Sequence, residues 1–329
     1  MMPDPTESQV SDSCRTAILP CMDPDLAAAR TTWLEDGYVV LPGYLPADDL
    51  VAAQRELGEM FPSADDFHDD VDPGRNARFI GDEFDGIDGF PFASLALNRV
   101  PVSDALVTLA TTLLGTTDVR LYSAEAWAKY AGAADYDQDL HRDYLNHTIL
   151  VPSSDPAFGQ VEMFVFLCDV TAELGAPRMV RRSPVTDALP ARPNFFPRRA
   201  IDDDDSFIAA EGRPDLFETE APATGPAGSV VAFQPQTVHR GAAMTEPRGA
   251  RFTMHLNYRT AAAEWAHRHA WADRSHDPHW YRFVEQAGPR QLELFGFPPP
   301  GHAYWTEQTL AGVAQRYPGL DMSPWRAAH

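Results

Sequence analysis

The chain reads as a double-stranded β-helix, a jelly-roll (cupin-like) core that is mainly β, with helices packed against it. Three observations lead there. Short strand-like runs recur on both sides of one long excursion, about 184–226, rich in Pro, Arg and Asp; many short strands of this kind suit a two-sheet roll. Val161–Val170 is almost continuously apolar, as a buried core strand is. Arg251-Phe252-Thr253-Met254-His255-Leu256-Asn257-Tyr258 alternates over a full strand length. That puts Arg251, Thr253, His255 and Asn257 on one face and Phe252, Met254, Leu256 and Tyr258 on the other. An apolar outer face and a polar inner face suit a strand whose interior side holds a polar ligand.

Taken in order, residues 1–24 lack periodicity and read as a flexible tail. Residues 25–329 read as one domain, with the roll at about 119–260 and a helical tail behind it. Asp25–Glu35 reads as a helix and Tyr38–Leu41 as a short strand. Pro46-Ala47-Asp48-Asp49 opens a helix to about Met60, with acids in the first turn where the helix dipole favours them. Residues 63–90 are acidic, and their carboxylate order does not fit an EF-hand; a loop over the mouth of a site is the expectation. Val102–Leu114 reads as a helix ended by Gly115, and Val119–Tyr130 as a strand. Thr148–Pro152, Val161–Val170, Ser229–Phe233 and Arg251–Tyr258 follow as strands. Pro278–Ala287 and Thr306–Tyr317 read as helices. No internal repeat is present.

Composition narrows the function classes. At 329 residues and 44% hydrophobic content the chain can bury a sizeable core. A net charge of −22 argues against nucleic acid or an anionic membrane as partner, since both call for a basic surface. Cys14, Cys21 and Cys168 are too few for a disulfide framework or a Cys-rich zinc site; Cys168 reads as a buried strand residue. No run is apolar for long enough to span a bilayer, and the start lacks a basic n-region followed by an apolar core. A cytoplasmic protein acting on a small molecule, as monomer or homodimer, is the expectation.

Chemistry concentrates in Asp139-Leu140-His141-Arg142-Asp143-Tyr144. In an extended backbone His141 and Asp143 point to one face and can hold a metal from one side. The third ligand comes from elsewhere, and His239 in Gln236-Thr237-Val238-His239-Arg240-Gly241 is the best placed. Two imidazoles and one carboxylate, with open positions opposite, make the facial triad of non-haem Fe(II) oxygenases. Arg251 starts the polar face of the last strand, and its fork can grip a carboxylate bidentately. Arg248, in Glu246-Pro247-Arg248-Gly249, reads as a turn residue facing solvent.

The order His141-x-Asp143, His239, Arg251 resembles the pattern of Fe(II)/2-oxoglutarate-dependent oxygenases. Within those it is similar to the phytanoyl-CoA dioxygenase-like family. Trp33–Leu50 resembles the family's helix–strand–helix opening. Phe164–Val180 resembles its core strand and following turn, with Leu174-Gly175 where Asn-Gly is usual. Arg182-Ser183-Pro184 departs from the usual Pro-Gly-Ser-His. The resemblance covers roughly 29–260.

It implies that His141, Asp143 and His239 hold catalytic Fe(II), and that 2-oxoglutarate takes two of the remaining positions and O2 the third. Succinate and CO2 are then released as a substrate C–H is hydroxylated. Arg251 would pair with the distal carboxylate, helped by the hydroxyl of Thr148 or Thr253. Related halogenases carry a small residue where this chain has Asp143, which favours hydroxylation here. Desaturation, cyclisation and epimerisation begin from the same hydrogen abstraction and stay open.

For the substrate, Trp127 and Tyr144 are the expected aromatic walls. Arg178, Arg181, Arg182, Arg192, Arg198 and Arg199 form a basic island. Arg178 and Arg198 are its expected anion contacts, with pairing to Asp202–Asp205 as the equal alternative. A compact anionic or polar metabolite, such as a natural-product intermediate, is expected ahead of an acyl-CoA or carrier-bound substrate. His267, His269, His276 and His279 lie among Trp265, Trp271 and Trp280 and read as packing. Two other classes compete: a cupin-like barrel that binds metal or ligand without catalysis, and a Mn or Ni enzyme on the same barrel. The first needs no Arg251, and the second usually uses three or four His.

Overall fold

The computed structural model describes residues 24–134, 136–143, 147, 151–191, 193–202, 208–266 and 278–328. Two antiparallel sheets face each other as a jelly roll. The major sheet is built from β1 (Tyr38–Leu41), β2 (Ile87–Gly89), β3 (Val119–Tyr130), β5 (Gln160–Phe166), β9 (Val230–Phe233) and β11 (Ala250–Thr260), in the order β1-β9-β5-β11-β3-β2. The minor sheet has β4 (Leu140–His141), β6 (Arg178–Val180), β7 (Phe195–Phe196), β8 (Glu220–Pro222) and β10 (His239–Arg240), in the order β7-β4-β10-β6-β8.

The alternation of β11 decides which side of the major sheet meets the helices. Met254, Leu256 and Tyr258 are fully buried on its outer face, in one core with Ala124, Ala126, Val161, Met163 and Val165 from the flanking strands. Helix Asp104–Leu114 covers that face through Leu106, Leu109 and Leu113. Its ends follow from its residues. The Ser103 side chain accepts from the Leu106 amide at the start. Gly115 closes it at φ +71°, a left-handed position that a side chain resists. Burying such a face supplies most of the driving force for folding, at about 25 cal/mol per Å² of apolar area.

Four expectations shift. The strand expected over Val161–Val170 ends at Phe166. Beyond it the chain turns, and the Asp169 carboxylate accepts from the Ala227 amide instead of extending the ladder. The excursion 184–226 is not only loop, since it supplies β7 and β8, the two edges of the minor sheet. Residues 63–90 are not a loop but short helices, Ala64–His68 and Pro73–Asn76, followed by β2 on the sheet edge. Asp72 and Asp82 there accept from the Arg75 and Phe84 amides as helix caps. Of the strand expected at Thr148–Pro152, only 151–152 fall within the described residues, and they are not strand. Residues 1–23 and the histidines 267, 269 and 276 lie outside the described residues. Trp280 packs in the core against Phe283 and Phe295.

Candidate active site

β4 and β10 bring the first two ligands together, because His141 and His239 are register partners across the antiparallel pair. Asp143 follows two residues after His141. Its Oδ1 lies 3.4 Å from His141 Nε2 and its Oδ2 3.3 Å from His239 Nε2. Donors around one octahedral ion with bonds near 2.1 Å stand about 3 Å apart, so this set has the spacing of a metal site.

The imidazoles are also oriented for it. His141 Nδ1 lies 2.9 Å from the Asp139 carbonyl, and His239 Nδ1 lies 3.0 Å from the Thr237 carbonyl. A carbonyl only accepts, so both Nδ1 atoms carry a proton and both Nε2 atoms are turned toward Asp143, where each shares a proton with the carboxylate or gives its lone pair to a metal, the usual device for fixing a ligating histidine.

The electrostatics match. Burial pushes the Asp143 carboxyl up, but His239 and His141 outweigh it and hold the group well below the usual carboxylate range. Burial pushes His239 down, and Asp143 reverses this to leave it raised. The three groups therefore attract one another, and a cation can replace the shared protons.

A cavity of about 400 Å³ lies between the sheets over this triad. The inner face of β11 contributes Arg251, Thr253, His255 and Asn257 to it. Arg251 is 7% exposed. Its Nη1 donates to the Leu174 carbonyl at 3.4 Å, which steadies the guanidinium at the cavity end. Thr253 Oγ1 is 3.2 Å from His255 Nε2. Arg248 is half-exposed and pairs with Asp69 at 2.8 Å, leaving Arg251 as the cation of this strand that lines the cavity.

Trp127 lines the cavity as expected, while Tyr144 and Thr148 lie outside the described residues. Arg178 and Arg198 do not line it. Arg178 sits on β6 opposite Arg240, and the Arg198 guanidinium stacks over Phe217 at 4.4 Å. Arg181 and Arg182 pair with Asp36 and Asp187, at 2.6 and 2.8 Å. Among the described arginines of the island, Arg178, Arg181, Arg182, Arg198 and Arg199 are thus outside the lining of the triad cavity.

Sequence reading missed Lys129, Glu125 and Glu162. Lys129 is the register partner of Arg251, is 6% exposed, and places its Nζ 4.6 Å over the Trp127 ring. Period-2 spacing along Val119–Tyr130 puts Glu125, Trp127 and Lys129 on one face, a signal that was present and unused. Glu162 and His147 form a second buried pair at 2.7 Å beside Asp143. Burial and the neighbouring Asp143 raise the Glu162 carboxyl although His147 opposes the shift.

The model of the family described as Phytanoyl-CoA dioxygenase (PhyH) matches residues 33–251, more than half of the chain. The chain belongs to that family. Among solved structures it is similar to the epimerase SnoN in complex with Fe3+, alpha ketoglutarate and nogalamycin RO. That likeness has 21% identity and a TM-score of 0.50, over 73% of this chain and 85% of that one. It is also similar to apo EctD from S. alaskensis, at 18% identity and a TM-score of 0.51, over 76% and 85%. At such identities the shared property is the fold. No curated protein matches the chain.

Proposed function

We propose that this family member is an Fe(II)- and 2-oxoglutarate-dependent dioxygenase that hydroxylates an unactivated C–H of a small metabolite or natural-product intermediate. The observation that carries the reading is convergence. His141, Asp143 and His239 meet at one end of a cavity whose wall also holds Arg251. A barrel that merely bound metal would have no use for a buried guanidinium there, and a four-histidine site would not have Asp143.

The donor set fits Fe(II), and SnoN was crystallised with Fe3+ and alpha ketoglutarate. When bound, iron and 2-oxoglutarate supply oxidative decarboxylation coupled to hydrogen abstraction from a C–H bond. The chain's own residues do the rest. The Asp139 and Thr237 carbonyls keep both imidazoles in the ligating tautomer. Arg251, with Lys129 beside it, neutralises the distal carboxylate. Phe164, Phe195 and Phe233 line the cavity around the triad and exclude water, which strengthens each charge interaction inside. SnoN is named an epimerase, and epimerisation is the outcome to separate from hydroxylation in product analysis.

The test is anaerobic. Adding 2-oxoglutarate to Fe(II)-loaded protein should produce a visible charge-transfer band, lost in His239→Ala. Absence of the band in wild type, with Fe(II) bound in a one-to-one ratio, would rule out chelation of the co-substrate at this site.

A further inference from the structure

The roll holds a second cavity besides the one over the triad. Its volume is about 460 Å³, within the usual range of small-molecule sites. The register of β5 places it. Phe166 is the partner of Thr253, Glu162 of Asn257 and Gln160 of Arg259. Alternate residues share a face, and each such step leads about 7 Å further from the Arg251 end. Glu162 lines the triad cavity, and Gln160, one step on, lines the second. Both side chains are held. Glu162 pairs with His147 at 2.7 Å, and Gln160 donates to the Tyr122 hydroxyl at 3.1 Å. The second cavity is therefore at the far end of the sheet's inner face, behind a buried polar wall.

Its charge is unlike that of the rest of the molecule. The charged residues of its described lining are Arg30, Arg142, Arg182 and Asp155, three cations to one anion in a chain of net charge −22. Asp155 is exposed and accepts from the Ala157 amide at 2.9 Å. Arg142 donates to the Pro190 and Pro193 carbonyls at 2.7 and 2.6 Å. Arg182 pairs with Asp187 at 2.8 Å on the rim, with both side chains about half exposed, an arrangement of little strength in water. Arg30 is half-buried and donates through Nε to the Leu113 carbonyl at 3.3 Å. Neither of its terminal nitrogens takes part in an ion pair among the described residues.

Below this rim the walls are apolar. Trp33 comes from the helix Pro24–Asp36, Leu113 and Leu114 from the end of the helix Asp104–Leu114, and Phe158 from the turn before β5. Trp33 is 6% exposed, and its indole N–H has no hydrogen-bond partner. A buried donor left unmatched is costly and rare. An acceptor brought by a ligand would satisfy it.

We propose that this second cavity binds an organic acid, one carboxylate on a flat apolar body of about ten carbons. The carboxylate is bound by Arg30 with Arg182 on the rim, and the body lies against Trp33, Leu113 and Phe158. A guanidinium fork matches the two oxygens of a carboxylate, while the walls take up the hydrocarbon. The site is distinct from that of the co-substrate and does not depend on the oxygenase reading. The two described linings share only Arg142, which lies between His141 and Asp143. A ligand here therefore touches the segment that holds the triad without entering it.

The experiment uses three probes of one skeleton: 2-naphthoate, 2-naphthamide and 2-naphthylmethylamine. The full chain is labelled with 5-fluorotryptophan and mixed with 2-oxoglutarate and Zn(II), a diamagnetic substitute for iron. Fluorine NMR then follows its seven tryptophans, with Trp33→Phe and Trp127→Phe assigning two of the signals. 2-Naphthoate should shift the Trp33 signal saturably and leave that of Trp127, in the triad cavity, in place. The amide and the amine should bind at least about ten-fold more weakly, the difference a charge-assisted contact makes. Arg30→Gln should bring 2-naphthoate to within about two-fold of the amide. Arg30 also bonds the end of a helix, so Arg182→Gln on the exposed rim serves as the second variant. It should weaken 2-naphthoate about three-fold at an unchanged melting temperature. No Trp33 shift at millimolar 2-naphthoate, a Trp127 shift at lower concentration than that of Trp33, equal binding of the amide, or an affinity unchanged in Arg182→Gln and in any folded Arg30→Gln would each overturn the proposal.

Discussion

Arg251 carries the co-substrate claim at the scale of a single residue. Arg251→Ala should weaken 2-oxoglutarate binding by a few kcal/mol, about a hundred-fold or more, because a buried charge-assisted contact is lost. Fe(II) affinity should stay within a few-fold. Arg251→Lys should recover only part, since an ammonium cannot fork onto both carboxylate oxygens. An unchanged Michaelis constant for 2-oxoglutarate in the alanine variant would remove Arg251 from the site. That His141 shares a face with Asp143, and Arg251 with Thr253, was legible in the sequence because strand alternation fixes which side chains share a face. Arg178 and Arg198 do not line the triad cavity. A run of arginines has no period, and the fold places Arg178 on β6 and the Arg198 guanidinium over Phe217. Only tertiary placement could show that.

At the scale of elements, the turn after β5 sets Arg251 in place. Gly175 adopts φ +67°, and a Cβ there would stand 3.1 Å from Arg251 Nη1 and collide with the Ala242 carbonyl. The residue is glycine because both the backbone conformation and the space demand it. Gly175→Ala should therefore raise the Michaelis constant for 2-oxoglutarate as well as lower thermal stability. A variant that lost stability but bound the co-substrate as wild type does would show that the turn has no part in positioning Arg251. The long strands β1, β3, β5, β9 and β11 were readable from their alternation or apolar runs, β3 with the boundaries it has in the structure. The short strands β2, β4, β6, β7, β8 and β10 were not. Each is two or three residues long, too short for any period, and exists only because a neighbouring strand offers it a partner.

For the whole molecule, two hydroxyls tie the roll to what covers it. Tyr130 donates to the Pro62 carbonyl and Tyr258 to the Pro101 carbonyl, each at 2.7 Å. Burial raises both phenols above the ordinary tyrosine range. An unfolded tyrosine ionises near pH 10. The folded groups hold their protons beyond that, so their contribution is complete below pH 10 and is lost as pH rises through the unfolded value toward the folded ones. Urea unfolding should thus show a stability plateau between pH 7 and 9 and a decline above about pH 10. Tyr258→Phe should make the decline shallower, at a cost of about 1 kcal/mol at neutral pH for the lost hydrogen bond. An equally steep alkaline decline in that variant would assign the loss to other groups. Among the described residues no helix is long and apolar enough to cross a membrane.

The central claim joins the triad to Arg251 in one reaction. Its most direct test is succinate released from 2-oxoglutarate by purified protein in air, with and without Fe(II), for wild type, His239→Ala and Arg251→Ala. The expected result is Fe(II)-dependent succinate from wild type, none above background from His239→Ala, and release from Arg251→Ala that recovers only at far higher 2-oxoglutarate. Succinate formed at the wild-type rate by His239→Ala, or no Fe(II)-dependent succinate from wild type, would contradict it.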